Sequence, residues 1–283
     1  YIFLVKNNLK VINIIKYKLI RWIERFPLIS IFIYNNANKL KFFLPHEKDY
    51  YGILKVCKIS KNKSIIDVGA NIGISTLGFR KLGFINPIYL FEPNFLLYRK
   101  YLKKIKRQNK NIFINNLALN NKKEEKKLYI AYYKGQTLHF LSSFDKKYII
   151  NSIKITFFNV KKKISIIKKN VMCEKFDSVK IKYPPNFIKL DTEGHDYNVL
   201  LGMKKTIKKH KPVFLIEYNT KIFNKISRYL KSYKPYIYDF KNDKFLIVSN
   251  QNKSRISRTS KQNLLTNRNV FFIPNIKNIM KKI

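Results

Sequence analysis

The chain of 283 residues reads as an α/β protein with a doubly wound, mostly parallel sheet and an N-terminal helical extension. Three observations predict this. Apolar strand-like runs alternate with helical runs over residues 64–116, the same alternation resumes over 187–230, and the connections between runs are short. Ser64-Ile65-Ile66-Asp67-Val68 is the first strand, Gly69-Ala70-Asn71-Ile72-Gly73 a turn, and Ile74 to Leu82 a helix stopped by Gly83. Ile88 to Phe91 is the second strand and ends at Glu92-Pro93. Phe95 to Gln108 follows as a helix with its lysines outward, and Ile112 to Asn116 as the third strand. From Lys127 to Phe176 the runs shorten (Leu128 to Tyr132, Ile153 to Phe158, Val171 to Phe176) and read as a β-rich insertion or edge strands. The parallel pattern returns with a strand over Phe187–Asp191, a helix over Tyr197–His210, a strand over Val213–Tyr218 and a helix over Ile222–Leu230. Pro235–Asp239, Phe245–Val248 and Val270–Ile273 read as closing antiparallel strands, the last two separated by a polar, basic loop, Asn250–Asn269.

Composition narrows the class. A hydrophobic fraction of 46% supports a sizeable core and excludes a wholly disordered chain. Two cysteines, Cys57 and Cys173, exclude a disulfide scaffold and a cysteine-rich zinc site, and suit a reducing compartment. The net charge is +43, which raises the case for a polyanion partner. Yet the lysines are spread along the whole chain, and Lys, Asn, Ile, Phe and Tyr, the residues of AT-rich codons, are abundant together. The charge therefore reads first as a solvated basic surface with no specific nucleic-acid site. Val5, Leu9, Ile12, Ile15, Leu19, Trp22 and Phe26 share one helical face flanked by Lys and Arg. That segment is either a packing helix or an interfacial helix resting on anionic lipid at the inner membrane surface. No charge-free apolar run reaches bilayer length and no signal-peptide pattern occurs, so the expected location is cytoplasmic, with peripheral membrane contact through this helix at most.

In a doubly wound sheet, ligands gather beyond the carboxyl ends of the strands where strand order reverses. The polar residues at those ends are Asp67, Glu92, Asn116, Asp191 and Glu217. The turn Asp67 to Gly73 lets backbone approach a ligand, and Glu92, nineteen residues after Gly73, suits the two hydroxyls of a ribose. The dinucleotide pattern G-x-G-x-x-G is not met, since Asn71 and Ile74 occupy its later glycine positions, and no P-loop follows. The spacing Gly69, Asn71, Gly73 matches instead the D-x-G-x-N-x-G turn of S-adenosylmethionine binders. A second cluster, Lys189-Leu190-Asp191-Thr192-Glu193-Gly194-His195, places Asp191, Glu193 and His195 at the mouth of the same cleft as candidate general bases. An alternative role for Asp191 and Glu193 is to cap the helix that begins near Asp196. Asp191, Glu193 and Glu217 are oxygen donors near one another, but no spacing demands a metal, and none is assigned.

These stretches resemble the FkbM family of S-adenosylmethionine-dependent methyltransferases. The resemblance rests on Ile65 to Gly73, Phe91-Glu92-Pro93, Asn116 to Leu119, the pair Ser142-Ser143, and the block from Phe187 through Leu201-Gly202 to Glu217; it covers roughly residues 45 to 220. At Cys173 to Asp177 the family more often has a Thr-Leu-Asp type sequence, of which Asp177 is retained. The resemblance implies a class I (Rossmann-like) methyltransferase domain over 45–249, between a helical extension (1–44) and a basic loop with a C-terminal strand (250–283). It implies that Asp67, Gly69, Asn71 and Gly73 hold the methionine end of S-adenosyl-L-methionine, that Glu92 takes the ribose, and that Asn116, Leu117 and Ala118 border the adenine. The implied activity is O-methylation of a hydroxyl on a sugar, glycan, lipid-linked or polyketide-type small molecule. Two competing readings are an RNA methyltransferase, which the charge favours but no N/D-P-P-Y/W motif supports, and a non-catalytic binder of polyanions or membrane surfaces. Specificity is expected in the inserts Lys134–Lys169 and Asn250–Asn269.

Overall fold

The computed structural model describes residues 47–134, 136–156, 163–248 and 269–276, with positions 26, 28, 29, 32, 33, 36 and 45. Residues 5–25 of the amphipathic segment Val5–Phe26, and residues 250–268 of the loop that ends at Asn269, lie outside the described residues. The elements are α1 (Tyr50–Val56), β1 (Ser64–Val68), α2 (Ile74–Lys81), β2 (Ile88–Phe91), α3 (Phe95–Leu97), a π-helical turn (Tyr98–Leu102) running into α4 (Lys103–Gln108), β3 (Ile112–Asn115) and β4 (Ala118–Leu119). Then come β5 (Glu124–Tyr133), β6 (Gln136–Ser143), α5 (Lys146–Thr156), β7 (Ile164–Glu174), β8 (Pro185–Leu190), α6 (Asp196–Leu201), α7 (Lys204–His210), β9 (Val213–Glu217), α8 (Thr220–Tyr229), β10 (Tyr233–Asp239), β11 (Lys244–Ile247) and β12 (Asn269–Pro274).

Eight strands form the main sheet in the order β11-β10-β12-β9-β8-β1-β2-β3. The pairs β3–β2, β2–β1, β1–β8 and β8–β9 are parallel, whereas β12 runs antiparallel to both β9 and β10. This is a Rossmann-like α/β fold of the class I methyltransferase type. Its central strands are apolar on both faces because both faces are covered. Ile65, Phe187 and Leu215 pack with Tyr50, Ile53 and Phe79 on one side, while Ile66, Ile188 and Phe214 pack with Val199, Met203 and Phe223 on the other. The chain runs outward from β1 to β3 and then returns to β8 on β1's other flank, so strand order reverses between β1 and β8.

The insertion forms its own sheet, β4-β7-β5-β6, in which β5 and β7 pair antiparallel over ten positions. Ile153 lies here in a helix, not in the strand that Ile153–Phe158 suggested. Ile149 and Ile153, four apart, pack against Ala131, Tyr133 and Leu138 of the insert, and that contact outweighs their β-branched preference. The expected helix Tyr197–His210 is two helices, α6 and α7. They part at Gly202, where an added Cβ would lie 2.0 Å from the Asn120 carbonyl oxygen; the close approach breaks the helix. Asp177 then accepts from the backbone of Lys205 (2.7 Å) and Thr206 (3.0 Å) at the start of α7. The sequence reading sets a boundary at 249. Strand β12 lies inside the main sheet between β9 and β10, so the domain includes at least residues 269–274. No helix among the described residues is long and apolar enough to cross a membrane.

Candidate active site

The site is built where β1 and β8 end side by side. Gly69, at φ +75°, carries the chain off β1, and its Cα touches the end of β8 so closely that a Cβ would stand 1.9 Å from the Asp191 carbonyl oxygen. The Asp191 amide donates to the Val68 carbonyl at 3.1 Å, which fastens the two strand ends together. Gly69 and Ala70 donate in turn to the Phe91 carbonyl at the end of β2. Asn71 adopts φ +53°, and Gly73, at φ +82°, leaves room for Ile105, whose Cδ1 would lie 2.3 Å from a Cβ there.

Glu92 is the hub of this turn. It is 4% exposed; its Oε2 accepts from the Asn71 amide at 2.8 Å and its Oε1 from the Asn94 amide at 2.8 Å. Burial pushes its carboxyl up to about 7 against the pull of those two hydrogen bonds, and the charges of Asp67 and Asp191 add to the rise. Around it lie two buried polar atoms without a hydrogen-bond partner, Asn71 Oδ1 and Asn94 Nδ2. Their orientations are fixed, because Asn71 Nδ2 donates to the His139 carbonyl (2.9 Å) and Asn94 Oδ1 accepts from the Leu96 amide (3.1 Å). Asn94 was not among the residues singled out from the sequence; its place two residues after the strand-ending Glu92 was the available signal.

The other expected contacts are distributed differently. Asp67 is fully enclosed: its Oδ2 accepts from Thr76 Oγ1 at 3.0 Å and its Oδ1 lies 4.0 Å from Lys189 Nζ, so it braces the turn from within. Asn116 is exposed and donates to the carbonyls of Glu92 (2.8 Å) and Pro93 (3.1 Å), tying down the loop that follows β2. Leu117 packs against the main core, and Ala118 begins β4 of the insert sheet opposite Cys173.

The acid turn after β8 rests on Lys189, which is 2% exposed and faces Asp67 across the β1–β8 register. Its Nζ donates to Asp191 Oδ2 at 3.0 Å. Burial works to lower the pKa of this ammonium, but Asp191, Tyr50, Asp67 and Glu47 together hold it well above the usual lysine range. Glu193, at φ +54°, is bound by the insert: the Tyr148 hydroxyl donates to its carboxylate and Ser143 Oγ donates to its carbonyl at 3.2 Å. Neither Asp191 nor Glu193 caps α6. Its cap position is His195, and Asp196 folds back to accept from the Thr192 amide (3.1 Å) and hydroxyl (2.8 Å).

His195 is nearly buried and both ring nitrogens are engaged. Asn120 Nδ2 donates to Glu124 Oε1 at 2.5 Å, which turns Asn120 Oδ1 toward His195 Nε2 at 3.0 Å, so Nε2 carries the proton. Nδ1 then accepts from Asn198 Nδ2 at 3.2 Å. Burial, reinforced by the Lys126 charge, lowers this imidazole to about 4. With both ring nitrogens occupied, His195 holds α6 against Asn120 at the edge of the insert.

Asp191, Glu193 and Glu217 each bring a carboxylate oxygen within 4.8 Å of the other two, and all three are half-buried. Three such oxygens are part of the shell that a hard divalent cation takes. In a chain with only sixteen acidic residues, Asp67, Glu92, Asp191, Glu193, Asp196 and Glu217 are gathered at this end of the sheet, with Glu47 and Asp49 beside them on Asn269.

A switch-point cleft with a glycine turn, a strand-ending glutamate and a neighbouring acid turn defines a Rossmann-like methyltransferase domain. Residues 67–238 match the family model described as the methyltransferase FkbM domain, and the chain belongs to that family. Two solved structures superpose on it more loosely. A methyltransferase FkbM from Methylobacillus flagellatus KT gives a TM-score of 0.48 at 14% identity, over 92% of this chain and 58% of that one. The precorrin-6y C5,15-methyltransferase from Geobacter metallireducens GS-15 gives 0.39 at 9% identity, over 79% and 83%. This chain thus spans 58% of the length of the first of them. Among curated proteins, none matches the sequence.

Proposed function

We propose that the chain is an S-adenosylmethionine-dependent O-methyltransferase whose acceptor is a hydroxyl of a sugar, glycan, lipid-linked or polyketide-type small molecule. The observation that carries this reading is the trio at the end of β2: the Glu92 carboxylate fixed by two backbone amides, flanked by the unpartnered Asn71 Oδ1 and Asn94 Nδ2. Buried polar atoms left without partners cost free energy unless a ligand completes them. A carboxylate, an amide acceptor and an amide donor fit the hydroxyl-rich, nitrogen-bearing adenosyl group.

When bound, the cofactor supplies an electrophilic methyl group on a sulfonium. The protein's part is alignment, exclusion of water and handling of one proton. Glu92 holds the ribose hydroxyls and the glycine turn admits the cofactor's polar end. Asp191, hydrogen-bonded to Lys189, orients the acceptor hydroxyl across the Gly69 contact. Glu193, clamped by Tyr148 at the mouth, accepts the hydroxyl proton.

Isothermal titration with S-adenosylhomocysteine, followed by methyl transfer from labelled cofactor onto glycolipid extract and onto total RNA, tests the reading. Binding that Glu92→Gln weakens, with label in the glycolipid fraction, supports it. Absent affinity for S-adenosylhomocysteine, or label in RNA alone, overturns it.

A further inference from the structure

The helical run over residues 95–108 is more than the outer wall of the cofactor turn. Its buried side, Leu97, Leu102 and Ile105, packs inward, and Ile105 and Leu102 lie directly against Gly73. Its outer side is one continuous exposed face with six cations, from Arg99 to Arg107, and no acidic residue. At the start of that face, immediately after Asn94, stand Phe95 (53% exposed) and Leu96 (43% exposed).

We propose that this face docks the protein on an anionic lipid bilayer, with Phe95 and Leu96 entering the interface and the cations lying along the head groups. A cationic helix face bearing exposed aromatic and aliphatic side chains has the chemistry of an interfacial element, in which apolar insertion and attraction to anionic lipid reinforce each other. The same +43 charge would attract nucleic acid, but this face presents a single well-exposed ring, Phe95, and no run of rings for successive bases to stack on. Tyr98 and Tyr101 are half-buried, with Lys103 and Lys100 over their rings at 5.8 and 5.3 Å, and Leu96 offers no π-face. Docking here sets the Glu92 loop beside the head-group layer, where an acceptor attached to lipid is presented. The inference stands apart from the proposed methyl transfer, because docking is measured on the protein without turnover.

The test is sedimentation of the full chain with phosphatidylcholine vesicles, with and without phosphatidylglycerol, at physiological salt. The control is a second lysine-rich surface, Lys204, Lys205, Lys208 and Lys209 of α7, all exposed. Binding is expected only with phosphatidylglycerol. It should weaken by about tenfold or more in K100Q/K103Q/K104Q/R107Q, by roughly fivefold in F95S/L96S, and by less than about twofold in K204Q/K205Q/K208Q/K209Q. Retained thermal melting shows that each variant is folded. Equal loss in the two four-charge variants means that overall charge alone drives binding, and overturns the proposal. So does vesicle binding that is indifferent to F95S/L96S, or binding of total RNA through this face in place of vesicles.

Discussion

The two turns at the heart of the cleft are made in different ways. The glycine turn after β1 takes its backbone bonds mainly from nearby sequence: the Asn71 amide reaches Glu92 across 21 positions and Gly69 and Ala70 reach Phe91, with one side-chain tie to the insert, from Asn71 to the His139 carbonyl. The acid turn after β8 is held from far away. Tyr148 reaches Glu193 across 45 positions, Ser143 reaches its carbonyl across 50, and Asn120 meets His195 across 75. The backbone of the glycine turn, the proposed cofactor half, is therefore set mainly by one βαβ unit, whereas the acid turn, the proposed acceptor half, is held by an inserted sheet and helix. Changes in the insert away from His139 can reshape the acid turn while leaving the backbone of the glycine turn in place.

Lys189 is the element the two halves share, so its loss is the largest expected effect. Lys189→Met strands Asp67 and Asp191 without their cation and should destabilise the protein by about 3–5 kcal/mol in urea unfolding. A loss below about 1 kcal/mol would mean that the halves do not lean on it. Next, the halves should separate cleanly by function. Glu193→Gln is expected to slow methyl transfer by about a hundredfold or more while leaving S-adenosylhomocysteine affinity within about threefold. Glu92→Gln should instead weaken that affinity by about tenfold to a hundredfold. If both variants lose cofactor binding alike, the division is wrong. Tyr148→Phe probes the insert's grip: transfer should fall by about tenfold with cofactor affinity unchanged, because only the orientation of Glu193 is loosened.

The smallest effect is in pH. Burial raises Glu92 and Asp49 to about 7 and Asp196 to about 6. A carboxyl raised on folding favours the folded state while protonated; that contribution is full below its unfolded value and is lost as pH climbs through the folded one. His139 and His195, lowered to about 3 and about 4 chiefly by burial, act in the opposite sense, but only below their ordinary value of 6.5. Between pH 6.5 and about 8 the carboxyls alone remain, so the melting temperature should fall by roughly 3–5 °C, and Glu92→Gln should flatten the slope. A melting temperature that rises over that window contradicts the burial of these groups.

The same contrast explains what could be read from the sequence. Asp67 to Gly73 and Glu92 were legible because turn geometry and strand ends are local, and β1, β2, β8 and β9 were legible because strands covered on both faces are continuously apolar. Tyr148 and Asn120 carry no local pattern; their roles come from where the insert happens to meet the acid turn, whereas Asn94 was marked only by its place two residues after Glu92. Ile149 and Ile153 fit a strand as well as a helix until their packing partners are known. The complete enclosure of Lys189 was illegible for the same reason, since a lysine in a lysine-rich chain gives no hint that it is one of the most deeply enclosed side chains.

Strand β12 has a consequence for how the molecule comes together. It slots between β9 and β10, and its first residue, Asn269, donates to Glu47 at 2.6 Å and Asp49 at 3.0 Å, some 220 positions earlier. A nascent chain that has emerged only as far as residue 248 therefore carries two unzipped strand borders facing an empty slot, each a template for clumping with its neighbours. Closure waits for a strand made after both of its neighbours and tied to Glu47 and Asp49 over some 220 positions, and pairing of such high sequence separation is intrinsically slow to form.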